Sequence, residues 1–581
     1  MSKIRKQHMT IHWHDIVQSD NSVPATEATL KEKATLVGRI GLMMLSVGTG
    51  AWRVRNSMNK VSRCLDISCS ADIGLLSIEC TCIDENHTYT QSLSLPTTGV
   101  NTDKLTELEL FMRDFPEKAD TLSVMQFHEV LDHIQGKKAN YKAWNLGLAS
   151  AIACCAFTFL LGGGPVEMIC AFFGAGVGNF VRKLMLNRKI SLFGNVAVSV
   201  AASCAVYVIT ILLAQNLLHV SAEHQAGYIC AMLFVIPGFP LITGGIDLAK
   251  LDMRSGLERI SYAILIITVA TMTGWATAML FRFQPADFQP LEIQTGTMIL
   301  LRIAASFFGV YGFSLMFNSP RKMAFTAGLI GMFANTLRLE LIDLAGFPVG
   351  IAAFLGAFCS GCIASVVKKK IGFPRISLTV PAIVIMVPGL YMYRGIYYMG
   401  LSNVADGSIW LTKAILIVVA LPLGLVAGYA RGKAEAIIMR IADVFMSFPS
   451  IVLILVLVAV LGPSVWSVTC VIGVLGWTQF ARLIYANVLS VSEKEYVESA
   501  RAIGTSNFKI VTKYVLPNSF APILIAITFQ MASAILSESS LSFLGMGVQP
   551  PGASWGNMLY DAQSITVLSQ KLWIWLPPGL A

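Results

Sequence analysis

Charged residues are scarce in this sequence, and the marks of several protein classes are missing from it. Charged residues make up 13% of the chain and hydrophobic residues 55%, whereas about 25% of a typical soluble domain is charged. No G-x-x-x-x-G-K-[ST] stretch is present, so any ATP hydrolysis belongs to another chain. Paired carboxylates and nucleophile triads at catalytic spacing are also missing, so we expect no enzyme activity.

Cysteine and histidine patterns exclude two further classes of site. The twelve cysteines are scattered and imply no disulfide framework, and Cys80-Thr81-Cys82 alternates as a strand does and fits no standard zinc pattern. None of the eight histidines falls in a long apolar run, which argues against a histidine proton relay. We therefore predict no metal and no cofactor.

Long apolar runs dominate the sequence beyond residue 140 and predict a mostly α-helical, polytopic inner-membrane protein. The spans of a first module are expected at about 145–163, 165–182, 193–217, 226–248 and 257–281. Those of a second module are expected at about 297–317, 322–342, 347–367, 374–398 and 408–429. Five spans per module make the second module enter the membrane from the opposite side, so the modules form an inverted repeat.

Basic residues predict the orientation, because lysine and arginine collect in short cytoplasmic loops. With a cytoplasmic N-terminus, three basic side chains fall in outer loops: Arg282, Arg338 and Arg394. The inner loops then carry Arg182, Lys183, Arg188, Lys189, Lys250, Arg254, Arg259, Arg321, Lys322, Lys368, Lys369 and Lys370. The net charge of +9 is thus explained by topology and contact with anionic lipid, and indicates no nucleic-acid partner.

Two apolar runs are interrupted by proline and glycine. Val235-Ile236-Pro237-Gly238-Phe239-Pro240 breaks the fourth span, and Val387-Pro388-Gly389-Leu390 breaks the ninth span 151 positions later. Matching broken helices in the two halves of a transporter indicate its binding site. The alternative is a packing kink in each helix.

The substrate path is predicted from the breaks and from the few polar residues within the spans. Asp247 is the candidate proton carrier if transport is coupled to protons. Arg338 belongs either to the path or, with Glu340 and Asp343, to a charged cluster at an outer helix end. The candidate path residues are Asn179, Pro237, Gly238, Pro240, Thr243, Asp247, Asn335, Pro388 and Gly389.

The polar region before the spans predicts a small cytoplasmic α+β domain over residues 1–140. Residues 27–66 have helical periodicity with a break near Gly48 and Gly50, and residues 72–95 have the alternation of a hairpin. Two amphipathic helices are expected at about 103–114 and 123–134. The remaining predicted domains are the modules at 141–285 and 293–428 and a C-terminal helical segment at 429–581.

Residues 36–428 resemble the threonine/serine exporter family. The resemblance rests on Arg39-Ile40-Gly41 to Gly48 with Arg53-Val54, Gly162-Gly163-Gly164 with Glu167, both broken spans, and Asn403 to Gly407. Arg55 departs from the family, which commonly has an acidic residue after Arg-Val. The resemblance implies export of threonine and serine, driven by an ion gradient through alternating access.

Residues 426–581 resemble the inner-membrane permeases of dipeptide/oligopeptide ABC importers. The resemblance rests on Met439-Arg440, Asp443, Phe448-Pro449-Ser450, Leu541-Ser542-Phe543-Leu544-Gly545, Pro550-Pro551 and Trp555-Gly556. Its strongest part is Glu498-Ser499-Ala500-Arg501-Ala502-Ile503-Gly504 followed by Leu516-Pro517-Asn518. The resemblance implies that this loop contacts an ATPase subunit, and spans expected at about 441–461 and 464–484 return the loop to the cytoplasm. We expect this segment to be truncated and fused to the exporter.

Three functions remain open at this point. The first is a secondary exporter of small amino acids. The second is a permease subunit of an ABC-type dipeptide/oligopeptide importer that couples to an ATPase through residues 495–517 and has a partner permease. The third is an inactive hybrid of the two.

Overall fold

The computed structural model describes residues 11–17, 22–188, 190–220, 224–283, 288–289, 291 and 293–429, isolated positions from 454 to 505, and residues 507–545, 547–548 and 554–580. The chain divides into two compact units, Met1–Tyr429 and Ala430–Ala581. The first unit contains the soluble domain and both predicted modules.

Four helices of the soluble domain follow the predicted pattern. They are α1 (Leu30–Ser46), α2 (Ala51–Cys64), α3 (Thr102–Lys118) and α4 (Val124–Gly136), preceded by a short 3-10 helix at Trp13–Ile16. A capping box of Thr29 and Glu32 starts α1. The predicted break between α1 and α2 is confirmed: Gly48 has a φ of +88° there, a conformation that favours glycine, and Gly50 caps α2.

An antiparallel sheet of three strands in the order β1-β2-β3 packs on these helices. The strands are β1 (Ser68–Ile73), β2 (Ser77–Ile83) and β3 (Thr88–Ser94). The predicted hairpin is confirmed in β2 and β3, which pair with Ile83 opposite Thr88. The prediction missed most of β1, because Ser68 to Asp72 carry no large apolar side chain on either face.

A buried polar cluster joins α1 to α4. Arg39 is fully buried and forms an ion pair with Asp132. Its guanidinium also donates to the His128 carbonyl oxygen and to His128 Nδ1, both at 3.0 Å. A guanidinium can only donate. Nδ1 must therefore be the acceptor, and His128 must be neutral.

We expect the soluble domain to lose stability as the pH falls below about 6.5. Burial and the neighbouring Arg39 charge lower the pKa of His128 to about 3, whereas histidine in an unfolded chain titrates near 6.5. Between these values the unfolded chain binds the extra proton, so stability falls with pH, by about 2 kcal/mol at pH 5. Thermal unfolding of the full chain between pH 7 and 5 measures this loss.

A matched pair of variants assigns that pH dependence to His128. His128→Gln is expected to flatten the curve, because no titrating ring remains in the buried site. His133→Gln removes an exposed histidine from the same helix and is expected to leave the slope unchanged. Equal slopes in wild type and His128→Gln would contradict the assignment.

The first module has five spans, of which the fourth is interrupted. The interruption separates α8 from α9 and includes a 3-10 helix at Leu233–Val235. The helices are α5 (Ala143–Leu160), α6 (Pro165–Asn187), α7 (Leu192–Leu218), α8 (Gly227–Ala231), α9 (Gly238–Ala249) and α10 (Met253–Phe281).

The second module repeats this order, with its interruption between α14 and α15. The helices are α11 (Thr295–Met316), α12 (Arg321–Asp343), α13 (Val349–Ile371), α14 (Arg375–Val384), α15 (Gly389–Gly400) and α16 (Val404–Tyr429). Eight helices of the described chain are long and apolar enough to cross a membrane, and the number rises to ten if each of the two bent pairs is one span. The two predicted breaks are confirmed, and the ten predicted spans agree with the higher number.

Small residues bring the modules together. A Cβ on Gly312 of α11 would lie 2.9 Å from the Ala153 Cβ of α5, so these helices approach at backbone distance. Such close packing between first helices joins the two modules into one unit.

The second unit is helical where it is described. Asn507–Ile510 (α17) leads through a π-helical turn at Val511–Val515 into the long helix α18 (Leu516–Phe543). Three short helices follow: α19 (Trp555–Asp561), α20 (Ile565–Gln570) and α21 (Leu572–Leu580). Most of the predicted spans at 441–461 and 464–484 lies outside the described residues.

Candidate functional site

The first broken span bends by 63° between Val235 and Gly238. Pro237 lacks a backbone donor and ends the helical hydrogen-bond ladder. The Gly238 amide donates instead to the Ile236 carbonyl oxygen at 2.8 Å. Arg182 Nη1 of α6 donates to the Phe234 carbonyl oxygen at 3.2 Å and so satisfies a carbonyl that the break releases.

The second broken span has the same local geometry. It bends by 50° between Val384 and Gly389, and the Gly389 amide donates to the Val387 carbonyl oxygen at 2.8 Å. Pro388 has φ −81° and ψ 53°, and Pro237 has φ −80° and ψ 61°. The two breaks therefore share one backbone conformation.

The two breaks pack against each other through equivalent contacts in both directions. A Cβ on Gly238 would overlap Val384 and lie 3.3 Å from Val387 Cγ2. A Cβ on Gly389 would lie 2.8 Å from Leu233 Cδ2 and 3.2 Å from Ile236 Cγ1. Every partner in the second break lies 151 positions after its counterpart in the first. The internal repeat thus places its two interrupted helical segments in direct contact.

A second contact joins the same two spans on one side of the breaks. The hydroxyl groups of Tyr228 and Tyr393 lie 2.7 Å apart, and both side chains are buried. A buried hydroxyl group is costly unless it is hydrogen-bonded, so pairing the two hydroxyls is favourable. The hydrogen bond therefore stabilises this arrangement of the spans.

A cavity of about 380 Å³ lies beside the first break. Its wall includes the predicted path residues Asn179, Pro237, Gly238 and Pro240. The soluble domain contributes Gly48, Leu75, Thr98, Gly99 and Val100, and the charged lining residues are Arg182, Lys183 and Arg259. Among the described lining residues there is no carboxylate, so the cavity has a positive wall and suits a small anion or carboxylate.

The other predicted path residues lie elsewhere in the modules. Thr243 donates to the Phe239 carbonyl oxygen within α9 at 2.9 Å. Asn335 Nδ2 donates to Ser306 Oγ at 2.9 Å, between α12 and α11. Pro388 and Gly389 form the second break. None of these residues is part of the described wall of the cavity.

Asp247 connects the first module to the soluble domain. It is fully buried, and its Oδ2 accepts hydrogen bonds from the Ala51 amide of α2 and from Ser255 Oγ, both at 3.0 Å. The same oxygen lies 3.3 Å from Arg259 Nε, and Arg259 Nη2 donates to the Thr49 carbonyl oxygen at 2.8 Å. A carboxylate at this helix N-terminus is favourable, so Asp247 and Arg259 together bind the linker between α1 and α2.

Further polar contacts fix the soluble domain to the same end of both modules. Arg55 of α2 forms an ion pair with Asp252, next to α10. Thr102 donates through its amide to the Phe317 carbonyl oxygen at 3.1 Å, and Tyr141 OH donates to the Ser319 carbonyl oxygen at 2.8 Å. The soluble domain therefore bridges the modules at one end of the membrane bundle.

Sequence reasoning missed Arg182 and Arg259 as site residues and assigned both to cytoplasmic loops. The structure places Arg182 inside α6 and Arg259 inside α10, where both line the cavity. One signal for Arg182 was available: the spacing Asn179-x-x-Arg182 recurs as Asn335-x-x-Arg338.

The predicted ATPase-coupling loop is described only in part. Glu498, Ser499 and Gly504 lie outside the described residues. Ala500 is buried in a small apolar cluster, and Leu516 and Pro517 open α18, where proline is favourable in the first turn. Among the described residues, no group of three histidine, cysteine or acidic side chains is placed to hold a metal ion.

Two exporter family models match the first unit. Residues 35–282 match the model described as "Putative threonine/serine exporter", and residues 302–429 match that described as "Threonine/Serine exporter, ThrE". Residues 420–577 match "Binding-protein-dependent transport system inner membrane component". The predicted fusion of exporter-type and permease-type sequence is confirmed.

Individual permeases are also similar in sequence to the permease-type part of this chain. A "Putative peptide permease protein" of Brucella ovis is 40% identical over 176 residues, which cover 30% of this chain and 57% of that protein. The glutathione transport system permease protein GsiD of Pectobacterium atrosepticum is 39% identical over 159 residues, covering 27% and 52%. The chain thus spans little more than half the length of these relatives. No significant match to a solved structure was found.

Together, the apolar helices and the matched families identify a multi-pass membrane transport protein. The matched families are transporters and permeases and not enzyme families.

Proposed function

We propose that residues 1–429 export small hydroxyl amino acids, threonine and serine, by secondary alternating access driven by an ion gradient. The reciprocal packing of the two breaks carries this proposal. Broken helices in inverted repeats form the substrate sites of many secondary transporters, and rocking of one repeat against the other alternates access. Gly238 and Gly389 give the two breaks the close contact across which such rocking takes place.

The cavity supports a substrate of amino-acid size with a carboxylate. Its volume of about 380 Å³ accommodates a single small amino acid. Arg182 offers guanidinium donors, which bind carboxylates in bidentate geometry, whereas the guanidinium of Arg259 is already paired with Asp247. The descriptions of the matched family models supply the choice of threonine and serine.

The orientation follows from the charge distribution. Basic residues at the soluble-domain end of the bundle support a cytoplasmic location for that end and for the N-terminus, in a bacterial cell with the spans in its inner membrane. The cavity then faces the cytoplasm, as an exporter requires when it loads its substrate.

Export is tested by following external threonine after loading cells with a threonine-containing dipeptide. We expect cells with the full chain, and cells with a version ending at Tyr429, to release threonine several-fold faster than cells without either. A protonophore or sodium ionophore is expected to abolish the difference and to identify the coupling ion. Unchanged release from both versions would overturn the proposal.

A second function is favoured by the match of residues 420–577 to the permease family. In this alternative the second unit contacts an ATPase through residues 495–517 and assembles with a partner permease. Peptide uptake that requires the full chain, with an ATPase co-purifying with it, would favour this alternative over export. An absence of both activities is expected of the inactive hybrid.

A further inference from the structure

An Asn-x-x-Arg sequence occurs once in the second helix of each module, 156 positions apart. It comprises Asn179 and Arg182 in α6 and Asn335 and Arg338 in α12. Both helices have 23 residues, and each arginine lies 17 residues after the first residue of its helix. The pair therefore occupies equivalent positions in the inverted repeat.

The two asparagine side chains make equivalent hydrogen bonds to the first helix of their modules. Asn179 Nδ2 donates to the Leu146 carbonyl oxygen of α5 at 2.8 Å, and Asn335 Nδ2 donates to Ser306 Oγ of α11 at 2.9 Å. Each asparagine thus ties the second helix of its module to the first. The arginine follows the asparagine by one turn of the same helix.

The two arginines lie at opposite ends of the bundle. Arg182 lines the cavity whose wall includes Gly48 and Gly99 of the soluble domain. Helix α12 instead starts beside the soluble domain, because Ser319 just before it bonds to Thr102. Seventeen residues of helix carry Arg338 roughly 25 Å away from that end.

Each arginine is also close to its own break and lacks a carboxylate partner. Arg182 donates to the Phe234 carbonyl oxygen of the first break. Gly356 lies between Arg338 and Met386, a residue of the second break. A Cβ on Gly356 would lie 3.2 Å from Arg338 Cβ and 3.3 Å from Met386 Cε.

Two acidic residues, Glu340 and Asp343, follow Arg338 in α12. Both form ion pairs with Arg302. Within the described part of the chain, neither Arg182 nor Arg338 forms an ion pair. A guanidinium without a counter-ion inside a membrane bundle is costly and marks a functional position.

We propose that Arg182 and Arg338 are symmetry-related receptors for the substrate carboxylate. Arg182 binds it when the cavity is open toward the soluble domain, and Arg338 binds it when the opposite end opens. This inference rests on the proposed export function and assigns each arginine to one face of the membrane.

The test uses the full chain in membrane vesicles of both orientations, with L-threonine supplied on one side. Arg182→Gln is expected to raise the half-saturating threonine concentration at least tenfold on the soluble-domain side only. Arg338→Gln is expected to do so on the opposite side only. Arg188→Gln removes an exposed charge just after α6 and Lys322→Gln removes one from the first turn of α12, and both are expected to change neither side.

A binding measurement on the purified full chain separates this inference from the export function. The wild-type chain is expected to bind L-threonine more tightly than L-threoninol, which lacks the carboxylate. Arg182→Gln is expected to lose that preference. Arg182→Lys is expected to retain part of it. Loss of the preference in chains that show no transport would refute export but not the arginine site. If both glutamine variants transport threonine and their half-saturating threonine concentrations are unchanged, or change equally on both sides, the arginine site is refuted and export is not.

Discussion

Replacing Gly238 or Gly389 with alanine is expected to abolish transport while the protein still inserts and folds. The added methyl group of Gly238→Ala overlaps Val384, and that of Gly389→Ala lies 2.8 Å from Leu233 Cδ2. Both neighbours are branched side chains in the opposite break, so the breaks must separate, at a typical overpacking cost of about 1–3 kcal/mol. Because the rocking contact lies there, the rate of threonine release falls to that of cells without the protein.

A matched control distinguishes this steric effect from a general effect of alanine in these helices. Gly296 of α11 has no neighbour within 4 Å of an added methyl group, so Gly296→Ala is expected to retain full transport. Normal efflux in Gly238→Ala and Gly389→Ala would contradict a functional contact between the breaks. It would instead favour two independent packing kinks.

The membrane spans and their breaks were predictable because their signals are local. A run of about 20 apolar residues specifies a span by itself, and a proline next to a glycine specifies a break. The separation of 151 positions between Gly238 and Gly389 can also be read directly from the sequence. The direct contact between the two breaks follows from the inverted repeat, which brings corresponding elements together across its axis.

The contact between the soluble domain and the first module was not predictable, because it joins residues that lie far apart in the chain. The Ala51 amide and Asp247 are 196 positions apart, and no local pattern indicates that the linker between α1 and α2 reaches the first module. Arg259 illustrates the same limit. Its basic character suggested a loop, yet tertiary contacts with Asp247 and Thr49 make it a buried residue of α10.

Asp247→Asn is expected to destabilise the contact between the soluble domain and the first module. Asparagine retains an oxygen that accepts from the Ala51 amide but loses the charge that compensates Arg259. Arg259 is only 2% exposed, and removing one partner of a buried ion pair costs about 3–5 kcal/mol. A lower unfolding temperature and faster proteolysis near Gly48 to Ala51 are the expected results.

Two further variants decide what Asp247 does. Glu117→Gln neutralises an exposed carboxylate of α3 and is expected to change neither property. Asp247→Leu combined with Arg259→Met removes both charges, so this double variant is expected to be more stable than Asp247→Asn, because no buried charge remains unpaired. If Asp247 instead carries the transported proton, Asp247→Asn will unfold as wild type does but release threonine independently of the proton gradient. Stability and coupling measured on the same variant therefore distinguish a structural ion pair from a proton carrier.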